Sequence, residues 1–156
     1  MPLAEPGKKS ILVEGRNCWR IASACRASLL IDAESYFAVL AAAAARARHS
    51  ILIVGWDIDS RIRLLRNNHI HDLPAQLDEM LNAVVSRQSN LHVYILDWDF
   101  AMIYSLEREL FPVFNLQWKT HRRVHFRLDG NHPAGASHHQ KIVVIDDALA
   151  FTGGID

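Results

Sequence analysis

Between Asp32 and Arg48 apolar side chains recur at Phe37, Leu40, Ala41, Ala44 and Ala45, the spacing of one helix face. Asp32 stands where an N-cap belongs, so the pattern predicts a helix over about 33–48. Ile51-Leu52-Ile53-Val54 is a continuous apolar run, the mark of a buried central strand. Leu77, Met80, Leu81, Val84 and Val85 restore the helical period and predict a second helix over about 74–87. A strand follows at 91–96, then a helix around 103–110 that stops near Pro112. Val124, Phe126 and Leu128 alternate with polar residues, which predicts a strand with one less buried face. The run 142–145 and its return at 148–152 turn at Asp146-Asp147, and Ser28–Ile31 adds a short strand before the first helix.

Strands alternating with helices define an α/β fold, a mixed and largely parallel sheet flanked by helices. Residues 1–26, with Pro2, Pro6 and Gly15, read as a tail and irregular lead-in, and 27–156 as one lobe. Two strands end in related tripeptide patterns, Gly55-Trp56-Asp57 and Asp97-Trp98-Asp99, a weak echo of one unit.

Composition narrows the partners. The 156 residues carry 17 basic and 17 acidic side chains, so no net field draws the chain onto nucleic acid or an anionic membrane, and any anion site must be local. Cys18 and Cys25 lack the second pair a zinc site needs and read as reduced thiols of a cytosolic setting. The longest uncharged apolar run, Tyr36–Ala45, is too short to span a bilayer, and no signal-peptide core follows Lys8 and Lys9. The expected location is cytoplasmic, or peripheral at the cytoplasmic face of a membrane.

The chemistry concentrates near the C-terminal end, at Ser137-His138-His139-Gln140-Lys141. Residues two apart on a strand share a face, so His139 and Lys141 are expected side by side. A neutral imidazole is a competent nucleophile near neutral pH, and an ammonium stabilises developing phosphate charge without a metal. No metal or other cofactor is therefore expected. Asp146 completes an H-x-K-x4-D pattern, but strand parity turns it away from His139, so its expected role is orienting, at the strand's end. His138 beside His139 points to the opposite face and cannot chelate with it. Asp57, Asp59, Asp97 and Asp99 can bind a divalent ion or, more plainly, cap the turns that follow them. Arg122 and Arg123 with His121 and His125 can form a phosphate-facing patch or a solvated basic turn.

The run His139-x-Lys141-x4-Asp146-x6-Gly153-Gly154-x-Asp156 resembles the HKD signature of the phospholipase D superfamily. Leu30-Ile31-Asp32 with Tyr36-Phe37, Gly55-Trp56-Asp57 and the stretch 135–141 are similar to bacterial phospholipase D-like and cardiolipin-synthase-like proteins. The resemblance covers about Gly15 to Asp156. It implies one lobe of a phospholipase D-like fold, with His139 as the residue that forms a phosphohistidine, Lys141 as a phosphate ligand, and Asp146 as part of the signature. Gly153 and Gly154 could let backbone N–H groups approach the phosphate or simply end the strand in a turn, and Asp156 is expected beside them on the phosphate. Many members carry Gly-Ser-x-Asn there, so Gly154 and Asp156 depart from that form and leave the subgroup open.

The resemblance also implies a second motif, whose histidine protonates the leaving alcohol. The H-x-K pattern occurs once here. The chain is therefore expected to be the N-terminal part of a longer two-motif enzyme, inactive alone, with an uncovered sheet edge or face; pairing with a second copy is the other solution. Three functions compete: phosphatidyl hydrolysis or transfer on phospholipids, a single-motif homodimeric endonuclease, and a non-catalytic lipid-binding or scaffold lobe. Net neutrality without a basic stripe argues against nucleic acid.

Overall fold

The computed structural model describes residues 10–65, 72–98, 121–133 and 136–155. The chain divides into two compact units, Met1–Leu30 and Ile31–Asp156. In the first, Asn17 ties a turn, its carboxamide oxygen accepting the Val13 N–H and its NH2 donating to the Ile11 carbonyl. Cys18 and Cys25 are free thiols. Ser28–Ile31, expected as a strand, is irregular, and Leu29 and Ile31 are exposed. Apolar run length alone does not make a strand where no ladder partner is supplied.

The second unit runs α1 (Asp32–Ala44), β1 (Ser50–Val54), α2 (Leu77–Arg87), β2 (His92–Trp98), β3 (Val124–Asp129), β4 (Ile142–Ile145) and β5 (Leu149–Thr152). The five strands form one sheet in the order β3-β2-β1-β4-β5. β1, β2 and β3 pair in parallel, while β4 runs antiparallel to both β1 and β5. Only β4 is thus reversed, and the α/β, mostly parallel sheet read from the sequence is the sheet observed. The helix expected at 103–110 lies outside the described residues.

Asp32 has φ +71° and its carboxylate accepts the Ser35 N–H at 2.8 Å, so it does the work of an N-cap at the head of α1. The helix stops at Ala44, short of the expected Arg48. The reason is a long-range contact: the N–H groups of Arg48, His49 and Ser50 are taken by the Asp146 carboxylate, which leads the backbone into β1. α2 starts at Leu77, not Pro74. Before it, Leu64 donates to the Ala75 carbonyl and Leu77 to the Ile62 carbonyl, a short antiparallel bridge at Arg63 and Gln76 that holds 75–76 extended.

The sheet is two-faced. Ile51, Val93, Ile95, Val124, Val143, Ile145 and Phe151 are buried and share one side by register. α1 covers the β5 end of that side, where Tyr36 meets Phe151 edge-on at 5.9 Å, and α2 packs on β2 and β3 through Met80, Leu81, Val84 and Val85. The opposite side presents Leu52, Tyr94, Leu96 and Ile142, between 36% and 44% exposed among the described residues. No helix among the described residues is long and apolar enough to cross a membrane.

Candidate active site

The site lies where the parallel strands end. Gly55 donates its N–H to the Leu96 carbonyl at 3.1 Å, extending the β1–β2 pairing to the strand exit. The next residue, Trp56, and the last residue of β2, Trp98, then stack with ring centroids 5.7 Å apart and planes at 16°. Their separation in sequence hides this partnership, and parallel pairing of their strands creates it.

The motif segment approaches from the other direction. The β4 ladder begins with Ile142 opposite Val54, so 137–141 lie before the strand, not in it as the sequence pattern suggested. β1 ends at Val54, so the ladder has no further residue to pair with an earlier one. Alternation nevertheless persists. His138 and Gln140 line a cavity of about 270 Å3 with Leu96, Asp97, Trp98 and Asp129. Lys141 lines a second cavity of about 100 Å3, walled by Tyr36, Phe37, Leu40, Ile53 and Val143.

His139 is exposed, and its ring meets the Trp56 indole at 5.4 Å with planes at 63°. The Lys141 Nζ lies 5.8 Å from the same indole's centroid and is shielded from solvent. An ammonium at that distance from an indole is attracted by the ring quadrupole. Ser137 anchors the segment, its hydroxyl accepting the Trp56 Nε1–H at 2.9 Å. The structure therefore brings His139 and Lys141 to one ring.

Asp146 is not with them. It follows β4 at the far end from Lys141 and opens the turn into β5, where it and Asp147 have φ +53° and +52°. Both central residues of this tight hairpin turn are left-handed, a state aspartate tolerates better than most side chains. Partial burial pushes the Asp146 carboxyl up, but the N–H groups of Ser50, His49 and Arg48 outweigh it and hold the group below its usual range.

Gly153 and Gly154 are exposed in a bend after β5, and a Cβ at either would meet open space. Asp156 lies outside the described residues. His138 Nε2 faces Asp129 Oδ2 at 3.6 Å, and its ring meets His132 at 5.7 Å, away from His139. Asp59 pairs with Arg61, whose guanidinium is first among the causes that lower its pKa. Buried Asp97 accepts the Trp98 N–H, and Asp99 lies outside the described residues. Among the described residues no three His, Cys, Asp or Glu side chains gather as a metal site would require.

Arg123 is half-buried and its contacts are structural. Its guanidinium donates to the carbonyls of Val85, Gln88 and Leu91, closing the C-terminal end of α2. His125 stacks on the rings of both His92 and Tyr94, with 5.6 and 4.9 Å between centroids, and those two rings are 6.1 Å from each other.

Known proteins resemble this sequence over most of its length. Phospholipase D B of Dictyostelium discoideum is 33% identical over 130 residues, which is 81% of this chain and 10% of that protein. The chain is similar to phospholipases D. Phospholipase D2 of Bos taurus is 29% identical over 130 residues, 81% of the chain and 13% of that protein. Phospholipase D zeta 1 of Arabidopsis thaliana is 27% identical over 140 residues, 84% of the chain and 12% of that protein. These similarities support the phospholipase D superfamily. No protein-family profile matches the chain. The chain spans about a tenth of the length of the curated relatives it matches.

Trp56 and Trp98 are the residues that sequence reasoning missed. The visible signal was the tryptophan at the end of each of two strands, which parallel pairing turns into a stacked pair.

Proposed function

We propose that this lobe supplies the nucleophile and a phosphate ligand to a phospholipase D-type phosphodiesterase acting on phospholipids. The observation that carries the reading is the meeting of exposed His139 and solvent-shielded Lys141 at one indole, within a chain similar to phospholipases D over four fifths of its length.

In this reading a ring nitrogen of His139 attacks phosphorus. The N–P bond forms as the P–O bond to the head-group alcohol breaks, and a proton passes to the departing oxygen from a general acid. Lys141 holds a non-bridging oxygen as charge builds on it. Water, or an acceptor alcohol in the transfer reaction, then attacks the phosphohistidine and releases the imidazole. The acid and base of these steps is a second histidine from outside this lobe, in a second H-x-K motif or a second copy. The backbone at Gly153 and Gly154 and the side chain of Asp156 would border the phosphate, and Asp146 would act by holding the strand end. The chain alone would turn over little substrate, and contact with membranes would be peripheral.

The test offers the protein labelled phosphatidylcholine, phosphatidylglycerol and plasmid DNA, then traps the intermediate with acid-labile phosphate label. Label on His139, absent from His139→Ala, supports the reading. Full turnover by His139→Ala would sink it. Cleavage of DNA with neither lipid touched would move the assignment to a nuclease.

A further inference from the structure

We propose that Trp56 is a positioning residue for the His139/Lys141 pair, holding both groups against its indole ring. The proposal rests on the reading of that pair as nucleophile and phosphate ligand, and adds to it a residue that acts through them.

Four contacts converge on this half-buried side chain. Its Nε1–H donates to Ser137 Oγ at 2.9 Å, one face stacks with Trp98 at 5.7 Å, His139 meets it at 5.4 Å, and Lys141 Nζ stands 5.8 Å from its centroid.

The location explains why such a residue is needed. His139 and Lys141 precede the ladder that begins at Ile142, so strand pairing does not set where their side chains stand. The firmest structure nearby is the parallel β1–β2 pair, which continues through the Gly55 N–H to the Leu96 carbonyl. Trp98 belongs to that pair and Trp56 follows it, so the indole stack carries the sheet's order outward. The Ser137 bond then docks the start of the motif segment, and the ring's edge and quadrupole receive imidazole and ammonium. A nucleophile displaced by about 1 Å loses roughly 100-fold in rate, so a residue that never touches substrate can still govern turnover.

The shape of the ring divides the expected effects. Trp56→Phe keeps an aromatic face for Lys141 and an edge for His139 but loses the Nε1–H. Trp56→Leu loses all three. Ser137→Ala keeps the indole and removes its anchor.

Two readouts separate placement from chemistry. The first is the His139 Cε1–Hε1 NMR cross-peak of this chain, assigned by its loss in His139→Gln; a neighbouring indole displaces it by ring current. The second is kcat and KM of the full-length protein on a soluble aryl phosphodiester. Trp56→Leu is expected to move the cross-peak and to lower kcat about 10- to 100-fold with KM within about twofold. Trp56→Phe should retain most of kcat, and Ser137→Ala should move the cross-peak less, in the same direction. An unmoved cross-peak in Trp56→Leu overturns the proposal, as does a fall in kcat no larger than that of Trp56→Phe. If Trp56→Leu does not fold, Ser137→Ala decides: an unmoved cross-peak overturns the proposal. Absence of turnover by the wild-type protein overturns the functional reading instead, and the cross-peak of Ser137→Ala, in which the indole is intact, still decides whether the anchored Trp56 places His139.

Discussion

Asp146 and Ser50 bond each other twice. The Asp146 N–H donates to the Ser50 carbonyl at 2.9 Å, and the Asp146 carboxylate accepts the Ser50 N–H at 2.9 Å. The same carboxylate takes the N–H groups of His49 and Arg48, so one side chain satisfies three successive amides at the entry to β1. Asp146→Ala leaves those amides to water and loosens the α1–β1 corner. It should cost about 2–4 kcal/mol, since hydrogen bonds to a charged group contribute roughly 1.5–3 kcal/mol each but are not additive. Urea unfolding of the two proteins, with unchanged m-value, checks this. A loss under about 0.5 kcal/mol would show the corner holds without it.

The same geometry sets a pH dependence. The amides hold the folded Asp146 carboxyl below its ordinary value near 3.8, despite the opposing effect of burial. A depressed folded pKa means the unfolded chain takes up the proton first as acid is added. The contribution of Asp146 is therefore full above about pH 5, shrinks as pH falls through the ordinary carboxylate range, and vanishes below the folded pKa. The stability gap between wild type and Asp146→Asn should be flat from pH 5 to 7 and narrow steadily below pH 4. A gap that widens in acid would contradict this assignment.

Both described helices were legible as helical periodicity, and the five strands as alternation, as continuous apolar runs or as the return after a turn. Their ends were less so. Where α1 stops depends on Asp146, about a hundred residues away, and where α2 starts depends on the bridge between Arg63 and Gln76. Strand propensity at 139–141 was misleading for a related reason. A residue joins a strand only if a partner lies beside it, and β1 ends at Val54. Of the site, His139 and Lys141 were visible as a motif, but their meeting place was not, since Trp56 and Trp98 become neighbours only through parallel pairing.

Arg123 is the test of a residue whose charge suggested an anion and whose contacts are structural. Its guanidinium donates to the carbonyls of Val85, Gln88 and Leu91, at the end of α2 and in the turn after it. Arg123→Ala should cost about 1–3 kcal/mol, and Arg123→Lys should recover only part, because an ammonium cannot fork across several carbonyls. Denaturation midpoints measure both. The KM for a phosphodiester should be unchanged in either variant, and a several-fold rise in KM with unchanged stability would return Arg123 to the phosphate.

Lys141 should show the opposite signature, activity lost and stability kept. Its Nζ is shielded from solvent beside the Trp56 ring, and it lines a cavity with Phe37, Leu40, Val143, Asp57 and Asp59. Lys141→Met keeps an unbranched stem of similar length in that cavity and should leave the unfolding free energy within about 1.5 kcal/mol of wild type. The same change removes the charge proposed to hold the phosphate oxygen, and turnover should fall roughly 100- to 1,000-fold, the usual scale for losing one such stabilising group. Lys141→Arg keeps the charge but places a wider, planar group against the indole, so it should restore only part of the rate. Thermal melts and kcat on the same preparations test the pair of effects together. Full activity in Lys141→Met would remove the lysine from the mechanism, and a loss of several kcal/mol would make it a structural residue.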